Sequence, residues 1–205
     1  MKSICCPKEP KPDDRRESRK PILESITPIG NPLPTTNNWL ERRKIIDELP
    51  HKTLNQWKSL FNRDKTSLGI VRPKRIIDLE IRDAAESDWK PQWKALFAQS
   101  QLFGPLQKPL RKLPYSFHYV FECEDSEKPH VAMCEDWELG VLFLKESERL
   151  NSDEAAAESV RGRFLDEMCA ADRDTRFFMG TFHPYNTWLV LGVFYPRKDR
   201  YPLFD

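Results

Sequence analysis

The sequence predicts an α+β protein whose C-terminal half runs strand, strand, helix, helix, strand, strand, as antiparallel hairpins with helices packed on one face. Three observations predict it. Tyr115, Phe117, Tyr119, Phe121 and Cys123 alternate with Ser116, His118, Val120 and Glu122, the period of a half-buried strand. Two segments, Asp136 to Leu150 and Asp153 to Ala170, space Leu139, Leu142, Phe143 and Leu150, then Val160, Phe164, Leu165 and Met168, at helical intervals. Two apolar runs, Arg176–Phe182 and Thr187–Tyr195, are joined by His183-Pro184-Tyr185-Asn186, whose length and composition suit a hairpin.

The elements before these are less regular. Residues 1–38 hold seven of the 17 prolines, and charges cluster between them, as in Asp13–Lys20. Proline fixes φ and removes a donor, so one continuous helix is not expected there and the segment makes a poor central strand. The first 20 residues are expected to be a disordered tail, followed by a short strand at Ile22–Ile29. Asn38 and Glu41 have capping-box spacing, which predicts a helix from Trp39 to Leu49, stopped by Pro50. Leu54, Trp57, Leu60 and Phe61 share one face of a second helix over Thr53–Asn62. Gly69-Ile70-Val71 reads as a short strand. Ile77, Leu79 and Ile81 alternate with Asp78, Glu80 and Arg82, predicting another. Asp88 is placed to cap a helix running to Gln101, with Pro91 in its first turn. Residues 102–112, with Gly104, Pro105 and Pro109, form a linker between a mixed region at 21–101 and a C-terminal unit at 113–205. The strand pair that opens this unit turns at Glu124–Lys128 and returns over Val131–Cys134.

Composition narrows the function. With 33 Lys+Arg against 32 Asp+Glu in 205 residues, the net charge is +1, so no whole-chain bias toward polyanions exists, though local basic patches do. No stretch approaches the ~20 apolar residues of a membrane span. Met1–Pro7 shows no apolar signal region, so reduced thiols and a cytoplasmic location are expected for the five cysteines. Cys5 and Cys6 are adjacent, which admits a redox pair or an incidental one. Seven glycines leave little material for a phosphate-cradling loop, and no P-loop, nucleophile elbow or His-Glu-x-x-His helix occurs.

Five stretches carry a family resemblance: Leu102-Phe103-Gly104, Lys112–Tyr119, Glu135-Asp136-Trp137-Glu138-Leu139-Gly140, Phe177-Phe178-Met179-Gly180-Thr181 and Leu191-Gly192-Val193-Phe194-Tyr195-Pro196. With these, and upstream through Ser67–Asp78 and Trp39–Arg43, the chain resembles an uncharacterised prokaryotic family without established activity. The resemblance therefore supplies no catalytic residues. It implies that longer relatives carry a further N-terminal segment, with Met1–Pro12 an alternative start. It also implies a Cys/Cys/His set between the first hairpin strands of some relatives, of which this chain keeps part.

Four groups of residues offer chemistry. Cys123, His130 and Cys134 sit on two strands of one hairpin, as zinc ligands or as two core thiols and a surface imidazole. Their spacings, six and three intervening residues, fit no zinc knuckle, and a fourth ligand is missing. Asp136 and Glu138, with Glu135, read either as helix-capping acids or, joined by His183 with Asp172 or Asp174, as a divalent-cation site for phosphodiester hydrolysis. The tip His183, Tyr185 and Asn186, with Trp188, reads either as a base-stacking loop or as an ordinary turn. Arg42-Arg43-Lys44, Arg72/Lys74/Arg75 and Lys108/Arg111/Lys112 are basic clusters able to neutralise phosphates. The expected function is binding of nucleic acid or a nucleotide-like ligand near the last hairpin and the basic linker. A metal-dependent hydrolase using Asp136, Glu138 and His183, and a protein-interaction subunit without catalysis, are the alternatives.

Overall fold

A computed structural model describes residues 13–19, 22, 26–28, 30–86, 88–91, 94–95, 111–183 and 185–198. It contains two antiparallel three-stranded sheets. The first orders β1 (Leu68–Val71), β5 (Arg176–Phe182) and β6 (Thr187–Phe194) as β1-β5-β6. The second orders β2 (Arg75–Asp83), β3 (Tyr115–Glu122) and β4 (His130–Met133) as β2-β3-β4. The α+β class and the closing β-β-α-α-β-β order are those the sequence predicts.

The alternation in β3 buries Phe117, Tyr119 and Phe121 to 1% exposure or less. Tyr119 and Phe121 meet Phe177 of β5, with ring centroids 4.6 and 5.3 Å apart, so the inner faces of the two sheets pack together. Phe117 and Tyr115 meet Phe143 of α3 (Trp137–Leu150), at 6.4 and 6.1 Å. Asp136 caps α3 by accepting from the Glu138 N–H, 2.8 Å away. The Glu135 N–H then donates to the Val190 carbonyl (2.8 Å), which ties the end of β4 to β6.

Ser152 caps α4 (Asp153–Arg161) by accepting from Ala155 N–H, and the acids Asp153 and Glu154 occupy its first turn. The sequence predicts one helix to Ala170, but the α-helical part ends at Arg161 and a π turn follows over Gly162–Glu167. The Phe164 carbonyl within that turn accepts from Tyr119 Oη (2.8 Å) and from Cys169 Sγ (3.2 Å). Side-chain donors inserted at one carbonyl are a usual cause of such a break in the helical ladder.

On the N-terminal side, α2 (Leu54–Asp64) opens with a complete capping box. Thr53 Oγ1 accepts from Gln56 N–H, and Gln56 Oε1 accepts from Thr53 N–H. Its buried face, Leu54, Trp57 and Phe61, is the one the sequence marks. Trp57 Nε1 donates to the Ile70 carbonyl at 3.0 Å, and its ring lies so close to β1 that a Cβ on Gly69 would fall 2.3 Å from it.

Several expectations give way. In β2, a bulge between Ile76 and Asp78 turns Ile77 outward, so Leu79 and Ile81 face the core with Ile76 instead. Ile22 and Ile26–Pro28, the described part of 22–29, form no strand. Asn38 caps nothing. Within α1 (Thr36–Glu48), Asn37, Asn38 and Trp39 have φ of 50, 53 and 63°, and the residues after them wind right-handed. The Asn38 amide is taken up by Arg197, whose N–H it accepts (2.8 Å) and whose carbonyl it donates to (2.9 Å). Residues 13–19, in the segment expected to be disordered, are tied to the first sheet: Arg15 donates to the Thr181 carbonyl (2.7 Å), and Glu17 accepts from Ser67 N–H and Oγ. Pro91, Lys94 and Ala95 are helical, while the remainder of the helix expected to reach Gln101 lies largely outside the described residues, as does linker 102–110. The strands on the two sides of the linker are shared between the sheets, β1 pairing with β5 and β2 with β3.

Gly69→Ala is expected to lower stability by about 1–3 kcal/mol, since the added methyl has no room beside Trp57. Chemical denaturation of the two proteins checks it.

Candidate functional site

The acids and the imidazole of the hydrolase reading do not meet. Asp136 Oδ2 stands beside Gly192, 3.7 Å from where a Cβ there would lie. His183 follows Phe182, which pairs with Thr187 at the opposite end of β6. Five residues of strand, roughly 16 Å, separate the two positions. His183 Nδ1 instead faces Asp13 Oδ1 at 3.9 Å. Asp174 is occupied elsewhere, and among the described residues no group of three or more His, Cys, Asp or Glu is arranged to hold a metal ion.

The same strand arithmetic separates the thiols. Cys134 donates its N–H to the Phe117 carbonyl, while Cys123 follows the far end of β3, roughly 20 Å away. Both are buried core residues. Burial raises the Cys123 thiol and pushes Cys134 up to about 12, so both stay protonated at neutral pH. His130 shares a hydrogen bond with Ser126 Oγ at 2.9 Å, and burial lowers its pKa. Cys5 and Cys6 lie outside the described residues.

At the last hairpin, Tyr185 is 75% exposed and stacks on Phe182. Asn186 has φ +54° and donates its N–H to the Phe182 carbonyl, a turn-forming role. Trp188 is not at the tip. It is 6% exposed and packs edge-on against Phe61, as its alternation with Val190 could have revealed. Two of the linker cations, Arg111 and Lys112, are already engaged elsewhere. Arg111 bonds Ser147 Oγ (2.9 Å) and Asp153, and Lys112 bonds the Asp88 carbonyl (3.2 Å) and pairs with Glu86. Lys108 lies outside the described residues.

The cluster Arg72/Lys74/Arg75 has a different fate. The β1–β2 turn and the segment before β5 form a cleft of about 500 Å³. Arg72, Lys74 and Arg75 meet Arg173 and Lys198 there, five cations against the carboxylates of Glu124 and Asp174. Sequence reading missed Arg173 and Lys198, which are distant in the chain and join only because Arg173 bridges Arg197 past the ends of β5 and β6. Lys74 and Arg75 are 57% and 64% exposed and pair with Glu124 and Glu122 at 3.3 and 3.2 Å. Such solvated pairs are worth little and yield to a better anion. Arg173 Nε is buried without a hydrogen-bond partner, with Asp172 3.7 Å away.

A buried network fixes one wall. Arg176 donates to Asp174 and to Asp47 of α1, each at 2.6 Å, and its other neighbour is His51 Nε2 at 3.0 Å. Asp174 Oδ1 in turn faces the Arg72 guanidinium at 2.8 Å, so the exposed cation is held by a buried anion. Burial alone would raise the Asp174 pKa, but the Arg176 hydrogen bond and the charges of Arg176, Arg72 and Arg43 outweigh it and leave it lowered.

A second concavity, about 430 Å³, lies between α1 and the outer face of β5 and β6. Trp39, Arg42, Phe178 and Tyr195 wall it, and Asp136 and Glu138 stand at its edge. Trp39 meets Tyr195 and Phe194 edge-on, at 4.8 and 5.3 Å. The Arg42 guanidinium lies 5.1 Å over the Trp39 ring and is bonded to the Leu33 carbonyl. Burial, then the Glu138 charge, raises the Asp136 pKa against the hydrogen bonds from Glu138 and Val193 N–H.

Two antiparallel sheets closed by helices define the α+β class, and five cations line the cleft beside the β1–β2 turn. The chain belongs to the family described as Domain of unknown function (DUF8757), which matches residues 50–205. The matched span includes every residue of the basic cleft and begins after α1. No curated protein and no solved structure matches the chain.

Asp174→Ala is expected to cost about 2–4 kcal/mol, because it leaves the buried Arg176 with only the half-exposed Asp47 carboxylate as its anion. The lowered Asp174 pKa means that its contribution is complete above the ordinary carboxylate value and is lost as pH falls below about 4. Denaturation between neutral and acid pH should therefore show the variant's deficit shrinking toward acid.

Proposed function

We propose that the protein binds nucleic acid through its phosphate backbone, in the cleft formed by Arg72, Lys74, Arg75, Arg173 and Lys198. The convergence of five cations on one concave surface, in a chain of net charge +1, carries this reading. A cationic cleft concentrates polyanions and releases their counterions on binding. Aromatic rings are absent from the cleft lining, so contact there is with phosphate and sugar, which position a strand without reading its sequence.

Fluorescence anisotropy with short labelled duplexes and single strands, between about 50 and 200 mM salt, tests it. Affinity should fall steeply with salt. The double variant Lys74→Ala/Arg75→Ala should weaken binding to all sequences alike and reduce the duplex salt slope by about 2. No measurable affinity at low salt, or a slope that the variant leaves unchanged, removes the proposal.

A further inference from the structure

The basic cleft and the aromatic groove are neighbours. Tyr195 walls the groove and Lys198 lines the cleft, so three residues of chain, about 10 Å, connect them. The connection is held in place: Asn38 clamps the Arg197 backbone on both sides, Asp174 N–H donates to the Pro196 carbonyl, and Trp39 packs on Tyr195. The groove has what the cleft lacks. It has aromatic surfaces, with the Arg42 guanidinium over one of them, and a volume in the range of small-ligand pockets. Its strongest polar groups are hydrogen-bond acceptors. Among the described residues neither Asp136 nor Glu138 forms an ion pair, whereas Asp174, Glu124 and Glu122 at the basic cleft all do.

From this juxtaposition we infer that the ligand is single-stranded nucleic acid with a guanine seated in the groove while the adjoining phosphates lie in the cleft. The inference rests on the cleft reading and deepens it. A paired base keeps its Watson–Crick edge occupied, so only an unpaired strand can place a base against Trp39, Arg42 and Tyr195. The carboxylates choose among bases. Guanine presents two adjacent donors, N1–H and N2–H, to one carboxylate. Uracil presents a single N–H, and adenine's Watson–Crick edge presents its amino group alone. The cationic cleft keeps the phosphates away from the same carboxylates.

Anisotropy with labelled oligouridine, alone or carrying one central guanosine or adenosine, and with a duplex of equal length, tests the assignment. The guanosine strand should bind about 5- to 100-fold tighter than oligouridine, and the adenosine strand should gain less. Glu138→Gln, at an exposed position of the first helical turn, should bring the guanosine-to-uridine ratio close to one, and Trp39→Ala should reduce it. Equal affinity for guanosine and uridine strands, or a preference that survives Glu138→Gln, overturns the inference. The cleft reading then still stands if Lys74→Ala/Arg75→Ala weakens every strand. Absence of measurable affinity of the unsubstituted protein for any strand or duplex would instead strike the cleft reading itself.

Discussion

Three rings on alternate residues of one strand hold the molecule together. Phe117 supports the helical layer through Phe143, while Tyr119 and Phe121 support the other sheet through Phe177. Each buried aromatic removes a large apolar area from water, and the pairs gain further from tilted and edge-on contact. Tyr119 adds a polar tether, since its hydroxyl reaches the carbonyl of Phe164. A strand carrying both packing layers on one face makes the relative position of all other elements depend on its register. The placement of β5 follows from it, and with β5 go the residues that flank the basic cleft.

The charged chemistry is arranged around that frame rather than within it. Arg176 begins β5 with its side chain only 7% exposed, and Asp174 two residues earlier is as deeply buried. An isolated buried charge is costly, but here each ion has the other as partner, and both extend outward, to Asp47 on α1 and to Arg72 in the cleft. The same pair thus anchors a helix on one side and orients a surface cation on the other. In contrast, burial in the core raises the pKa of the Cys123 and Cys134 thiols and suppresses their ionisation.

Local periodicity made the fold legible, and long-range assembly hid the site. β3, α2, α3 and the last hairpin follow from alternation, spacing and capping residues read over a few positions. The α1 start failed because Asn38 pairs with Arg197, 159 residues away, instead of capping its own helix. The Ile77 phase failed because a bulge is set by the partner strand. The basic cluster 72–75 was visible as a run, yet its meaning required Arg173 and Lys198, whose approach depends on where two strands end. Conversely, Cys123 and Cys134 looked close because a hairpin contains both, although they occupy its opposite ends. Trp188 was read with the turn it adjoins, although its parity with Val190 placed it inside.

The left-handed turn at Asn37–Trp39 gives α1 an unusual energetic standing. Consecutive positive-φ residues with side chains are disfavoured, Trp39 most of all, and the helix they introduce buries no residue completely. Among the contacts that attach it are Asn38 to Arg197, Trp39 to Tyr195 and Phe194, and Asp47 to Arg176. A segment held this way opens with a smaller free energy than the sheets beneath it. Amide protons along residues 40–48 would then exchange through detachment of the helix as a unit, while those of β5 and β6 wait for global unfolding.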